Sequence, residues 1–247
     1  GDNINLTVLM PSEADPHTYD PAPQDAGKIA DADLVFYTGL KYEPAALIKL
    51  LENSACSTEA LAEVGENVFP IEFKEEGHDD HDEEGHDDHA GHDHGAYDPH
   101  FWFDPNRVAY AAEYIENKLV EFDPNNASDY EAAGKAYVSD LKGLVGQVSE
   151  LISTIPSQNR KLITTHESLG YLEAKFGLEV LSTIIPSVDS ANEISPSQLV
   201  GVIDIIEDNN IKVIFIEAEA PSVYAETIVS ETGIKAVEGL WVETLKE

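Results

Sequence analysis

Cysteine and basic residues are both scarce in this chain of 247 residues. Its one cysteine, Cys56, excludes an intrachain disulfide and a zinc site built from several thiolates. Any transition metal must therefore be held mainly by histidine and carboxylate side chains. Long apolar runs are missing too: no stretch of about 18 apolar residues occurs, so the sequence predicts no membrane-spanning helix.

The second shortage is of positive charge. Only 14 Lys and Arg residues stand against 48 Asp and Glu residues, which gives a formal net charge of −34. Such a surface repels phosphate backbones and anionic lipids, so a nucleic-acid partner is excluded. Residues 75–95 hold only a minority of the acids, and the remaining negative charge is spread along the chain. This pattern indicates adaptation to high salt, where ions screen the self-repulsion.

Short strand patterns alternate with helical patterns along most of the chain. Strands are predicted at residues 5–10, 34–38, 68–71, 161–165, 179–184 and 212–216. Helices are predicted at residues 24–32, 43–52, 104–122, 128–154, 168–176, 196–208 and 222–232. This alternation predicts an α/β fold with parallel-type sheets flanked by helices.

The same pattern predicts three parts. Residues 1–125 form an N-terminal α/β lobe, residues 126–155 a connecting helix, and residues 156–247 a C-terminal α/β lobe. Within the first lobe, residues 75–96 consist almost entirely of Gly, His, Asp and Glu, which predicts a disordered surface loop. Its closely spaced histidines and acids offer weak metal ligands that could pass metal to a tighter site; a merely solvating role is the alternative.

The nine histidines divide into two groups. Three stand alone, His17, His100 and His166, each in a loop beside a predicted helix. His166 directly follows a predicted strand, and His17 lies in the loop after another. Ligand sites of α/β sheets lie beyond the carboxyl ends of the strands, where such loops converge. One isolated histidine is more often structural than a ligand, but three in this context are candidate zinc ligands. The other six lie in the predicted loop: His78, His81, His86, His89, His92 and His94.

The segments around the three isolated histidines resemble signatures of the metal-specific substrate-binding proteins of ABC importers. These segments are DPHTYDPAPQD at residues 15–25, DPHFWFDP at 98–105, and THESLGYL at 165–172 followed by FGL at 176–178. The resemblance extends over most of the chain. It implies two α/β lobes joined by one long helix, with a metal site in the cleft between them. His17 and His100 would come from the first lobe and His166 from the second.

The resemblance also implies a fourth ligand. A carboxylate after the last strand falls on Glu243 in this chain, while Glu217 is a rival position and water a third possibility. A histidine at the third position is typical of the zinc-binding members, because the manganese-binding members usually carry an acid there. Three imidazoles and a carboxylate suit tetrahedral zinc, although such sites also accept other divalent metals.

The function expected from this resemblance is that of a high-affinity extracytoplasmic zinc receptor. It would be a monomer and not an enzyme, and it would deliver zinc to an ABC import permease. It would lie in the periplasm or at the cell surface, with lipid anchoring open, and further elements are expected beyond both ends of the chain. The alternatives are a manganese or broad-metal receptor or adhesin of the same fold, and a zinc hydrolase. A metalloprotease helix is excluded because Gly170 stands where the second histidine of that motif belongs.

Overall fold

The computed structural model describes residues 3–11, 14–73, 96–184, 195–218 and 223–244. The first lobe begins with two helices and two short strands: α1 (Pro23–Ala30), β1 (Val35–Tyr37), α2 (Ala45–Ser54) and β2 (Leu61–Glu63). The strands β1 and β2 pair in parallel. Buried side chains of both helices form the small core beside this sheet, namely Ile29, Leu47 and Leu51.

Two long helices follow, α3 (Pro105–Phe122) and α4 (Ala127–Ser153). Asp104 caps the start of α3, because its side chain accepts a hydrogen bond from the main-chain N–H of Asn106. At 27 residues, α4 is about 40 Å long. The two helices pack along each other through an apolar seam that includes Ala109, Val138 and Leu141.

The second lobe alternates strands and helices. Its elements are β3 (Lys161–Thr164), α5 (Gly170–Phe176), β4 (Glu179–Thr183), α6 (Pro196–Asp208), β5 (Val213–Glu217), α7 (Val223–Thr232) and β6 (Lys235–Leu240). The pairs β3–β4 and β5–β6 are both parallel. Helix α6 begins with a capping box, in which Ser195 and Gln198 exchange side-chain and main-chain hydrogen bonds. The largest apolar cluster of the described residues lies here, around Ile163, Ile214 and Ile228.

The predicted α/β class, the parallel pairing and the long connecting helix are confirmed. The strand predicted at residues 5–10 is wrong: the segment is irregular, and Leu6 and Val8 are 80% and 73% exposed. The strand predicted at residues 68–71 is also wrong. A 3-10 helix at Gly65–Val68 ends where this strand was expected to begin. Strands β2 and β6 were not predicted.

Two expectations remain predictions. The disordered loop predicted at residues 75–96 falls almost wholly outside the described residues. The two boundaries between the three predicted parts stay predictions. None of the described helices combines the length and apolar character that a membrane crossing requires.

Candidate metal centre

His17 lies in the loop that leads into α1. Its main-chain N–H donates to Asp15 Oδ1 at 2.9 Å, which tightens the turn before the ring. The loop is anchored at its far end by buried Asp25, which accepts hydrogen bonds from Tyr19 Oη and from the N–H of Ala22, both at 2.9 Å. The imidazole of His17 is thereby held with only 7% of its side chain exposed.

His100 is fully buried and is oriented by the aspartate two residues before it. Asp98 Oδ1 accepts from the main-chain N–H of His100 at 2.9 Å and lies 2.7 Å from its Nδ1. With the proton on Nδ1, the lone pair of Nε2 faces away from the aspartate. Histidines that bind metals are commonly supported in this way by a carboxylate on the other ring nitrogen.

His166 lies two residues after the end of β3, and a carboxylate from a different element supports its ring in the same way. Glu217, the last residue of β5, lies with Oε2 2.5 Å from Nδ1 of His166 and accepts from its main-chain N–H through Oε1 at 3.3 Å. The main-chain N–H of Glu217 donates in turn to Thr165 Oγ1 at 3.1 Å. Neighbouring strand ends therefore fix the ring of His166, with Nε2 again left as an acceptor.

Glu243 follows β6 and meets all three histidines. Its Oε1 lies 3.7 Å from Nε2 of His17, 3.4 Å from Nε2 of His100 and 2.9 Å from Nε2 of His166. Its Oε2 accepts a hydrogen bond of 2.8 Å from Tyr42 Oη. The three Nε2 atoms and Oε1 are buried and have no hydrogen-bond partner.

One ligand atom from each of these four residues lies within 4.8 Å of the other three, so the cluster could hold a metal ion. The distances from Oε1 bracket the roughly 3.3 Å that separates ligand atoms around tetrahedral zinc with bonds of about 2.0 Å. Four buried lone-pair atoms that face one another repel unless a cation lies among them. The donor set therefore fits a divalent metal.

Protons are the alternative cations. Burial disfavours a charged imidazole at His166, but hydrogen bonding to Glu217 and the contact with Glu243 outweigh it and raise its pKa to about 10. Burial also lowers the pKa of His100, but the carboxylates of Asp98 and Glu243 outweigh this effect, so its pKa is raised. Burial opposes ionisation of Glu243, yet the histidines hold its pKa well below the usual range. Metal binding thus competes with protons at this site.

Several contacts join the two lobes around the cluster. Trp102 Nε1 donates to the main-chain oxygen of Val242 at 2.9 Å, directly beside Glu243. Tyr171 Oη donates to the main-chain oxygen of Asp98 at 2.8 Å and accepts from the N–H of Ile71 at 3.2 Å. The supports of His100 and Glu243 are therefore tied across the cleft.

The structure brings together all four residues that the sequence singled out, His17, His100, His166 and Glu243. Glu217, the rival for the fourth position, lies on the Nδ1 side of His166 instead. The sequence did not predict the supporting role of three residues, Asp98, Tyr42 and Trp102. A signal for Asp98 was present, because the tripeptide Asp-Pro-His occurs both at residues 15–17 and at residues 98–100.

A family model described as "ZnuA: Zinc-uptake complex component A periplasmic" matches residues 1–247. The chain belongs to this family. It is 26% identical over 234 residues to the manganese-binding lipoprotein MntA of Halalkalibacterium halodurans, covering 95% of this chain and 70% of that protein. It is 27% identical over 254 residues to the manganese ABC transporter substrate-binding lipoprotein scaA of Streptococcus gordonii, covering 100% and 76%.

Solved structures agree on the fold. A crystal structure of ZnuA superposes with a TM-score of 0.80 at 27% identity, covering 97% of this chain and 83% of that one. The periplasmic zinc-binding protein TroA of Treponema pallidum gives a TM-score of 0.83 at 21% identity, covering 99% and 83%, and supports the fold alone. The family consists of extracytoplasmic receptors and not of enzymes, as the sequence predicted.

Proposed function

We propose that this protein is the extracytoplasmic receptor of an ABC importer and that zinc is the metal it delivers to the permease. The observation that carries the proposal is the buried cluster of three imidazole Nε2 atoms and one carboxylate oxygen, none with a hydrogen-bond partner. In this proposal His17, His100, His166 and Glu243 are the ligands.

The chemistry of the donors favours zinc. Zinc forms four-coordinate tetrahedral sites with imidazole nitrogen and carboxylate oxygen, whereas manganese prefers oxygen-rich sites of higher coordination number. The carboxylates of Asp98 and Glu217 lie on the Nδ1 atoms of His100 and His166, which raises the basicity of the Nε2 donors. With all four positions supplied by the protein, no position is left for the water that a zinc hydrolase activates.

Binding would also link the lobes. His17 and His100 come from the first half of the chain, whereas His166 and Glu243 come from the second, so one ion would join both. Contacts such as Trp102 to Val242 already hold the two sides together. We therefore propose that metal binding tightens an assembled cleft, and that the bound ion shapes the surface offered to the permease.

A manganese receptor is the second candidate, because several relatives carry manganese in their names and one from Yersinia pestis is called an iron-binding protein. The two candidates differ in the expected gap between the two affinities. Most nitrogen and oxygen sites bind zinc more tightly than manganese, and a nitrogen-rich donor set should widen that gap.

The test is a calorimetric titration of the metal-free protein with zinc and with manganese. Zinc should bind in one tight step that His17→Ala, His100→Ala, His166→Ala and Glu243→Ala each weaken strongly. Glu238→Ala is the matched control, because Glu238 is an exposed acid on β6 near Glu243 in the chain. Full zinc affinity in His166→Ala would refute the ligand set, and a manganese affinity close to the zinc affinity in the wild type would favour the second candidate.

A further inference from the structure

The two carboxylate oxygens of Glu243 have different surroundings. Oε1 faces the three imidazoles and has no hydrogen-bond partner. Oε2 is turned away from them and accepts a hydrogen bond of 2.8 Å from Tyr42 Oη. A carboxylate binds a metal through one oxygen or through both, so whatever holds Oε2 influences the number of metal–oxygen bonds.

Tyr42 is held firmly on its own side of the cleft. Its side chain is buried, and its ring makes edge contacts with His17, at 4.8 Å between ring centroids, and with Trp102, at 5.2 Å. An aromatic residue packed between two other rings has little freedom to follow a moving carboxylate. The phenol therefore fixes Glu243, and not the reverse.

The backbone before Tyr42 is held as well. Gly39, Leu40 and Lys41 all have positive φ, at 74°, 54° and 62°, which costs energy for the two residues with side chains. Two acidic side chains maintain this conformation. Glu43 accepts from the N–H of Gly39 at 2.9 Å and from that of Thr38, and Glu63 accepts from the N–H of Leu40 at 3.1 Å.

We propose that Tyr42 is a specificity-determining positioning residue, which keeps Glu243 bound through Oε1 alone and so favours four-coordinate zinc over manganese. This inference rests on the proposed function. With one oxygen from Glu243, the four residues supply four donors, the number that zinc prefers. With both oxygens they would supply five, which moves the site toward the higher coordination number that manganese prefers.

Tyr42→Phe removes the hydroxyl and keeps the ring, so it tests this role directly. We expect the ratio of zinc affinity to manganese affinity to fall by about tenfold, the lower range for changes around metal ligands. Cobalt(II) bound in place of zinc should lose the intense visible absorption of a tetrahedral complex and gain the weaker spectrum of a five-coordinate one. Tyr130→Phe is the matched control, since it removes a tyrosine–carboxylate hydrogen bond of 2.9 Å to Asp123 near the start of α4, outside the cluster.

Glu43→Gln is a second variant, which loosens the loop before Tyr42 without changing Tyr42 or a ligand. It should also lower the ratio of zinc affinity to manganese affinity, but by a smaller factor. If Tyr42→Phe keeps the zinc-to-manganese affinity ratio and the cobalt spectrum of the wild type, the inference is overturned. The proposed function would still stand in that case. Weak zinc binding by the wild type would instead refute the proposed function. The comparison of cobalt spectra between wild type and Tyr42→Phe would still decide the role of Tyr42.

Discussion

Nδ1 of His166 lies 2.5 Å from Oε2 of Glu217, although the two residues are 51 positions apart in the chain. The same carboxylate accepts the main-chain N–H of His166 through its other oxygen. Glu217 thus fixes both the backbone and the ring of His166, and its buried negative charge favours an imidazole that carries its proton on Nδ1.

Replacement of Glu217 should weaken metal binding although Glu217 is not in the ligand cluster. Glu217→Ala should lower zinc affinity by about 10- to 100-fold, the range for partners of metal-bound histidines. Glu217→Gln should cost less, because an amide oxygen still accepts from Nδ1. Competition with a zinc chelator measures both variants against Glu238→Gln, which alters an exposed acid on β6. Wild-type affinity in Glu217→Ala would show that the carboxylate has no part in binding.

Metal affinity should rise with pH over a wide range. The pKa of His166 is about 10 in the metal-free protein, because Glu217 and Glu243 face its two ring nitrogens, and the pKa of His100 is raised by Asp98 and Glu243. A metal must therefore displace protons even at neutral pH. Calorimetry in buffers of different ionisation enthalpy should detect the release of about one to two protons per zinc near pH 7.

The stability of the metal-free protein should change with pH in the opposite direction and fall as the pH rises. A raised histidine pKa contributes stability that is fully present below about pH 6.5 and is lost as the pH rises through the folded-state value. The metal-free protein should therefore unfold more readily at pH 10 than at pH 6, whereas the zinc-bound protein should not follow this trend. A zinc affinity that does not change between these pH values would contradict proton competition.

The sequence predicted most helices closely and the short strands poorly, for physical reasons. Helix α6, at Pro196–Asp208, has a proline in its first turn, a serine cap and regular apolar spacing, and its predicted bounds were those observed. Strand β2 has only three residues, Leu61–Glu63, so no alternation is visible. At residues 5–10 the alternation is present, but a strand also needs a hydrogen-bonded neighbour, and the described part of the chain provides none there.

The residues of the site also differ in whether a local sequence signal marks them. His17, His100 and His166 were visible because each lies in a local signature, and Glu243 because the family resemblance implies a carboxylate after the last strand. Tyr42 lies in none of these segments, and its contact with Glu243 spans 201 positions. Partners that meet only through tertiary packing leave no local pattern from which they could be predicted.

The acidic surface leads to a prediction about salt. At a net charge of −34, like charges lie close together; burial and the neighbouring charges of Glu131 and Glu113 raise the pKa of Glu116 on α3. Screening shortens from about 10 Å at 0.1 M salt to about 3 Å at 1 M. The melting temperature should therefore rise steeply with KCl. Replacement of exposed acids by Asn or Gln should flatten this rise, and a flat profile in the wild type would refute adaptation to high salt.

The start of α5 provides a sharper test of the support behind His100. A Cβ placed on Gly170 would lie 2.6 Å from Oδ2 of Asp98, and the other oxygen of that carboxylate holds the ring and the main-chain N–H of His100. Gly170→Ala should push Asp98 off His100 and lower zinc affinity by about tenfold. Gly143→Ala is the control, because its Cβ on α4 would meet nothing within 4 Å and should stabilise the helix by about 0.5–1 kcal/mol. Equal zinc affinity in the two variants would mean that Asp98 adjusts freely and that the close packing of α5 does not position His100.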